Sequence, residues 1–164
     1  MLRIGLLSDT HHFLDDAIFS HFESCDEIWH AGDFGTVELA RQLAGFRPLR
    51  GVYGNIDGQD IRSIYPEKLR WQSEGVRVLM THIGGYPPRY NPTVIGELRK
   101  DPPQLFICGH SHILKIMYDD KLKCLHMNPG AAGKQGWHQV RTLIRFTIDG
   151  PDMKDCQVIE LGKR

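Results

Sequence analysis

The sequence predicts an α/β layered sandwich built on mixed β-sheets. Three observations carry that expectation. The first third of the chain alternates short apolar runs with amphipathic stretches, and the remainder is rich in strand-like segments. Most of the apolar runs also end in a polar segment with glycine inside or beside it, as loops leaving buried strands do.

The elements follow in order. Leu2–Leu7 is an apolar run broken at once by Ser8-Asp9, so it reads as a buried first strand and not as a signal peptide. Asp15–Ser24 reads as an amphipathic helix, with Ala17, Ile18, Phe19 and Phe22 making its apolar contacts. Glu27–His30 is a short strand running into Ala31-Gly32-Asp33. Thr36 is placed to cap a helix through about Ala44, with Val37, Leu39, Ala40 and Leu43 as its apolar contacts. Pro48–Val52 is a third strand and leads to Tyr53-Gly54-Asn55, after which Asp57–Pro66 looks irregular. Leu69–Ser73 and Arg77–Thr81 form a hairpin around Glu74-Gly75. Gly84–Pro92, rich in Gly, Pro and Tyr, is a surface loop, and Thr93–Lys100 is a short helix that must end before Pro102. Leu105–Cys108 is a strand entering Gly109-His110. Lys115–Tyr118, Leu122–His126, Arg141–Ile148 and Gln157–Leu161 are further strands, with turns at Asp119-Asp120 and Asp149-Gly150-Pro151. With no repeat, low-complexity tract or linker, residues 1–164 are expected to form one domain.

Bulk properties narrow the function. Lys plus Arg is 20 and Asp plus Glu is 20, so the formal charge is zero. Nothing in that balance favours specific nucleic-acid binding or an acidic membrane. Cys25, Cys108, Cys124 and Cys156 form no C-x-x-C pair and read as buried reduced thiols. The chain holds no run of about 18 apolar residues, and a cytoplasmic location is expected.

The chemistry lies in an ordered series: Asp9, His11, Asp33, Asn55, His82, His110 and His112. They stand in S-D-T-H, A-G-D, Y-G-N-I-D, L-M-T-H and I-C-G-H-S-H. Carboxylates, imidazoles and one amide oxygen suit a pair of first-row divalent ions better than a cysteine-rich structural zinc. Asp9 and His11, two apart after a strand, would point the same way in locally extended backbone. Asp33 has two oxygens and is able to bridge ions about 3.5–4 Å apart. Asn55 offers an amide oxygen to a metal and an amide N–H to a phosphate. Each segment alone is better read as a cap, a turn or an exposed loop residue; their joint occurrence carries the inference. Two-metal centres commonly hydrolyse phosphate esters.

The pattern D-x-H, G-D, G-N-x-D, T-H, G-H-x-H from Asp9 to His112, extended by Asn128-Pro129-Gly130, resembles the calcineurin-like metallophosphoesterase superfamily. It is most similar to the compact bacterial and archaeal phosphodiesterases that share a fold with the retromer subunit of eukaryotes. The resemblance implies a four-layer α-β-β-α sandwich with two mixed β-sheets. It implies a first ion on Asp9, His11, Asp33 and His112, and a second on Asp33, Asn55, His82 and His110. The catalytic group would be a metal-bound water, with Asn55 also contacting phosphate, and Asn128-Pro129-Gly130 a structural turn. The two divalent ions would be manganese first, with iron, zinc, nickel or cobalt as alternatives. Three positions depart from the pattern. Ile56 stands where many relatives carry a leaving-group histidine, Ile83-Gly84-Gly85 replaces the usual G-H after T-H, and Ala131 replaces a serine.

Other residues are weighed against plainer roles. His12 would line the cleft or be an exposed loop residue. Arg89 would grip a phosphate, and Tyr86 and Tyr90 would stack on a ring, unless Gly84–Pro92 is an ordinary Pro-kinked loop. Trp71 and Trp137 read as half-buried core aromatics, with self-association through them left open. His21, His30, His126 and His138 match no motif. The leading expectation is a metal-dependent phosphodiesterase acting on a small phosphate ester through a two-metal-activated hydroxide. A phosphomonoesterase on a small metabolite and a non-catalytic scaffold like the retromer subunit are the alternatives.

Overall fold

Side-chain alternation decides where each sheet faces. In β1 (Leu2–Leu7), Ile4 and Leu6 enter one apolar cluster and Leu7 enters another on the opposite side. Gly5 leaves room there for Phe22, since a Cβ on Gly5 would lie 2.6 Å from the ring. The computed structural model describes residues 1–164 and arranges the strands in two five-stranded sheets. The first sheet runs β12 (Asp152–Lys163), β11 (Val140–Asp149), β1, β2 (Glu27–His30), β3 (Leu49–Gly51). The second runs β4 (Lys68–Ser73), β5 (Val76–Thr81), β8 (Leu105–Ile107), β10 (Cys124–Pro129), β9 (Leu114–Asp119). Both are mixed: β1, β2 and β3 are parallel, as are β5, β8 and β10, with antiparallel partners outside them.

The central core lies between the sheets and includes Ile4, Leu6, Trp29, Val78, Met80, Ile107 and Phe146. Outside the first sheet, α1 (Ala17–His21) and α2 (Val37–Phe46) bury Ile18, Phe22, Leu39 and Leu43 against Leu7, Ile28 and Leu143. Outside the second, α4 (Pro92–Lys100) sets Val94 and Leu98 on Leu79 and Phe106. The layers are therefore α-β-β-α. Thr36 Oγ1 accepts from the Leu39 amide at 3.2 Å and starts α2, as its sequence position predicts. Asn91 does the same for α4, accepting from the Thr93 amide at 2.9 Å.

The differences from expectation have local causes. The helix expected over Asp15–Ser24 is regular only over Ala17–His21. Asp15 is held outside it, one oxygen accepting from the Ala17 amide and the other from Arg141 Nη1 at 2.8 Å. The irregular 57–66 stretch contains a single turn, α3 (Gln59–Arg62). The 84–92 loop carries a small ribbon, β6 (Gly85–Tyr86) with β7 (Arg89–Tyr90), around a cis Pro87-Pro88 bond. β10 begins after Leu122, whose amide donates to Asp119 Oδ1 in a turn, and continues through Asn128-Pro129 because β9 pairs along its whole length. β12 is far longer than its apolar residues suggest, because β11 pairs with it over most of its length. Cys25, Cys108 and Cys124 are buried, and burial pushes their thiols up to about 11, 12 and 12. Cys156 is exposed, contrary to expectation, on the edge strand β12. Trp71 packs edge-on against Trp29 at 4.8 Å, whereas Trp137, expected in the core, is 98% exposed on the loop after Gly136. No helix is long and apolar enough to cross a membrane.

Two histidines without a motif are buried in this frame. His30 accepts the Gly32 amide on Nδ1 at 3.1 Å, so its Nε2–H donates to Thr10 Oγ1 at 3.1 Å. His126 lies in β10 with Nδ1 3.2 Å from the Phe106 carbonyl. Burial pushes their pKa values down from 6.5 to about 3 and about 4. Their neutral forms favour the folded state above pH 6.5. As pH falls below that value, the unfolded chain takes up protons that the folded chain refuses until about 4 and about 3. Urea unfolding of chelator-treated protein should therefore lose on the order of a few kcal/mol between pH 7 and pH 4. Stability that stays level across this window would contradict the assignment.

Candidate metal centre

Parallel strands bring their outgoing loops to one end of a sheet, and here both sheets do so toward a common cleft. Asp9 follows β1, Asp33 follows β2, Asn55 follows β3, His82 follows β5, and His110 and His112 follow β8. Backbone hydrogen bonds stitch the loops together: Asp9 N to Gly32 O at 3.0 Å, His11 N to Asp33 O at 3.1 Å, and Gly109 N to His82 O at 3.0 Å. The expected extended geometry of Asp9 and His11 is not found. Their φ values are 54° and 44°, and Asp33, His110 and His112 are also left-handed at 60°, 73° and 62°. Such residues each cost about 1–3 kcal/mol and persist where surrounding contacts over-determine them.

The seven side chains converge. Asp9, His11 and His112 bring their donor atoms together as one group, and Asp33, His82 and His110 as a second. A single oxygen, Asp33 Oδ2, lies 3.2 Å from His11 Nε2 and 3.1 Å from His82 Nε2, so it touches both groups. Asp9 Oδ1 lies 3.2 Å from His112 Nε2. Asn55 Oδ1 lies 3.0 Å from His110 Nδ1, beside the second group. Donors about 2.1 Å from a shared ion stand roughly 3.0–3.4 Å from one another, and these contacts fall in that range. Asp9 Oδ1, His11 Nε2 and His82 Nε2 are buried without any hydrogen-bond partner. Buried polar atoms are rarely left so, and an oxygen and two imidazole nitrogens facing each other fit divalent cations.

The remaining atoms of these groups are tied down. Asp9 Oδ2 accepts from Ser8 Oγ at 2.7 Å and from the His110 amide at 3.0 Å. Asp33 Oδ1 accepts from the Ile56 amide at 3.0 Å. His82 Nδ1 donates to the Ala31 carbonyl at 2.7 Å, which leaves the Nε2 lone pair directed at Asp33. Two glycines make room: a Cβ on Gly54 would fall on Asp33 Oδ1, and one on Gly109 would fall on Ser8 Oγ. Asn128 ties the N-P-G turn to the histidine loop, donating to Gly109 O at 3.0 Å and Ser111 Oγ at 3.2 Å.

The sequence reading missed Asp57, the last residue of G-N-I-D. It is 2% exposed. Its carboxylate accepts from the amides of Asp33 at 3.0 Å, Phe34 at 3.2 Å, Gly35 at 3.0 Å and Gly54 at 2.9 Å. It clamps the Asp33 loop to the Asn55 loop. The G-N-x-D spacing was the available signal, but three of the four amides it holds lie more than twenty residues away. His30 was missed as well; it stacks on Phe34 at 3.7 Å beneath the same loop.

Substrate-side expectations fare unevenly. His12 is exposed and joins neither donor group. Tyr86 lines a cleft of about 270 Å³ together with His110, Ile83, Ile113 and Lys115. Arg89 is exposed at the ribbon and lines neither this cleft nor the one beside Asn55 and His82. Ile56 is 40% exposed at the rim.

The electrostatics without ions are those of trapped protons. Burial alone would push the Asp9 and Asp33 carboxyls up, but His11 with His112 and His82 outweighs it and holds both well below the usual carboxylate range. In return Asp33, then Asp9, raises the His11 imidazole to about 9, and His82 is also raised against its own burial. At pH 7.5 the metal-free cluster thus holds protons that an ion must displace. Calorimetric loading with Mn²⁺ in buffers of different ionisation enthalpy should show about one or more protons released per chain; heats independent of buffer would contradict this. Asp57→Ala orphans four loop amides and should cost about 3–5 kcal/mol, read as a lowered unfolding midpoint. A change below about 1 kcal/mol would refute the clamp.

Comparison with known proteins gives this geometry a family. Residues 2–150 match the calcineurin-like phosphoesterase superfamily domain. A probable metallophosphoesterase of Methanocaldococcus jannaschii is 29% identical over 136 residues, spanning 79% of this chain and 68% of the relative. Among solved structures, an archaeal phosphodiesterase superposes with a TM-score of 0.77 at 20% identity, over 98% of this chain and all of the other. Vps29 of Entamoeba histolytica, solved in complex with zinc, superposes at 0.74 with 14% identity, over 97% and 99%. Those two likenesses are of fold. The domain match covers nearly the whole chain and every residue of the cluster, and the protein is a member of the calcineurin-like phosphoesterase superfamily.

Proposed function

We propose that the protein is a metal-dependent phosphodiesterase with two divalent ions, one held by Asp9, His11, Asp33 and His112 and the other by Asp33, Asn55, His82 and His110. The observation that carries the reading is Asp33 Oδ2, one buried oxygen within 3.2 Å of imidazole nitrogens from both donor groups. Ions bound there would polarise the phosphate oxygens and supply a nucleophile at neutral pH. The protein's part is placement. The Ser8, His110, Ile56 and Ala31 contacts aim Asp9, Asp33 and His82 before substrate arrives. Asn55, on the exposed rim, has an amide nitrogen free to donate to a phosphate oxygen.

Two features favour a diester. Two adjacent clefts open beside the second donor group and share Ile83 and Asn91; one is lined by His110 with Tyr86, the other by Asn55 and His82 with Tyr53 and Thr93, giving each ester arm a place. Fixed positive charge is also sparse at the donor groups themselves, with Lys115 set apart in the first cleft, which suits a monoanionic phosphodiester group at the cluster better than a dianionic monoester. Arg62, beside the second cleft, is engaged with the carbonyls of Asp57 at 2.6 Å and Asn55 at 3.4 Å. A scaffold role like that of Vps29 draws on fold likeness and on exposed Ile116 and Tyr118 of β9. Metal binding does not separate the two readings, whereas turnover does.

Mn²⁺-loaded protein should hydrolyse bis(4-nitrophenyl) phosphate faster than 4-nitrophenyl phosphate. The reverse order would favour a monoesterase, and no turnover with any of the five metals would favour a scaffold. Ile56 cannot donate a proton, and general acid catalysis contributes about 10²–10⁴-fold. Rates should therefore fall steeply as leaving-group pKa rises, and Ile56→His should help poor leaving groups most. A flat dependence with chemistry rate-limiting would reveal a proton donor elsewhere.

A further inference from the structure

The cleft beside His110 has an unusual charge content. Its apolar lining is Ile83, Tyr86 and Ile113, 36%, 37% and 60% exposed, set among glycines and the polar Asn91, Ser111 and Asn128. Its lining contains no carboxylate. Lys115 enters it from β9, opposite Asn128 in the β9–β10 register and three residues beyond His112. Its ammonium rests over the Tyr86 ring at 3.6 Å. It is half-buried and has no acidic partner in the cleft, unlike Lys68 and Lys154, which pair with Glu97 and Asp149 at 2.9 Å. Burial first, and the Lys115 charge besides, lower the His126 imidazole behind the cleft to about 4, so His126 is neutral there. Ser111 Oγ accepts from the Ile113 amide and from Asn128 Nδ2, each at 3.2 Å, which leaves its O–H free to donate. A lysine partly withdrawn from water, stacked on an aromatic face and lacking a counter-ion is a site for an anion.

We infer that this cleft selects the substrate: it receives the non-departing arm of a phosphodiester, and Lys115 binds a second anionic group, carboxylate or phosphate, carried on that arm. Ile83, Tyr86 and Ile113 flank the apolar or ring portion between the two anions, and the Ser111 hydroxyl donates to the second one. The inference rests on the phosphodiesterase reading of the adjacent centre and goes further in naming the substrate class. Lys115 is a specificity residue and takes no part in bond breaking.

A matched set of diesters tests it: 4-nitrophenyl phosphate esterified with phenol, with 4-carboxyphenol or with 4-phosphonooxyphenol. The leaving group is constant and only the retained arm changes. For the natural protein, kcat/KM should be about five- to tenfold higher for one or both anionic arms than for the plain one, mainly through KM. The carboxylate and phosphate arms report which anion is preferred. In Lys115→Gln that ratio should collapse to about one, and Lys115→Arg should retain most of it. Calorimetric binding of 4-carboxyphenyl phosphate against phenyl phosphate to Mn²⁺-loaded protein needs no turnover. A binding preference that is lost in Lys115→Gln, without any hydrolysis, would uphold the subsite and refute only the diesterase reading. A ratio that is near one in the natural protein, or equally high in folded Lys115→Gln, would overturn the inference.

Discussion

Two carboxylates buried side by side govern this structure. Asp9 is wholly buried and Asp33 nearly so, and their free oxygens face the same imidazole nitrogens. Charges so placed are stable only with positive charge between them. Protonated His11 serves in the metal-free chain, and divalent ions would serve better, since they leave no lone pair unused. Much of the surrounding architecture follows from holding those oxygens still. Left-handed residues occupy five of the seven donor positions. Glycines stand where a Cβ would displace Ser8 or Asp33, and Asp57 gathers four amides from two loops. The two sheets contribute rigidity, because the ends of their parallel strands fix where each loop begins.

The layers and the cluster were largely legible in the sequence, for a physical reason. Buried parallel strands are short apolar runs, and Leu2–Leu7 and Glu27–His30 appear with the expected bounds. The polar residues that end such runs must lie at a sheet's edge, so Asp9, Asp33, His82 and His110 declare themselves by position. What escaped notice depends on distant partners. Asp57 looks like a turn residue until the Asp33 loop is folded onto it. His30 looks like a polar strand end until Phe34 and Thr10 enclose it. β12 is mostly polar and becomes a long strand only because β11 offers it a partner. Lys115 was read only as the start of a strand, since the absence of a counter-ion is a property of the assembled cleft. Trp137 ran against expectation, and nothing in the structure explains its exposure.

With ions bound as proposed, the same geometry would divide labour between them and the chain. Apart from the Ser8 hydroxyl, the positioning contacts are made by backbone amides and carbonyls, which cannot titrate and move little. The substrate side is sparsely charged, with Asn55 at the rim, Ile56 where a proton donor would be useful, and one unpaired lysine in a cleft that holds no carboxylate. If the site cleaves a diester as proposed, it would depend on the leaving group for its departure and on the retained arm for its selectivity. Family membership fixes the scaffold. Which ester it would take would be decided by a few side chains around the cluster.

With two ions bound as proposed, Asp33 would be held by both, since its Oδ2 faces imidazole nitrogens of both donor groups. Electron paramagnetic resonance of the protein titrated with Mn²⁺ tests it directly, because ions sharing a bridging carboxylate are about 3.5–4 Å apart and their spins couple. The account predicts that the sharp six-line signal of isolated Mn²⁺ gives way to a broad, exchange-coupled spectrum as loading approaches two ions per chain. Saturation at one ion, or two ions that keep uncoupled six-line signals, would contradict it.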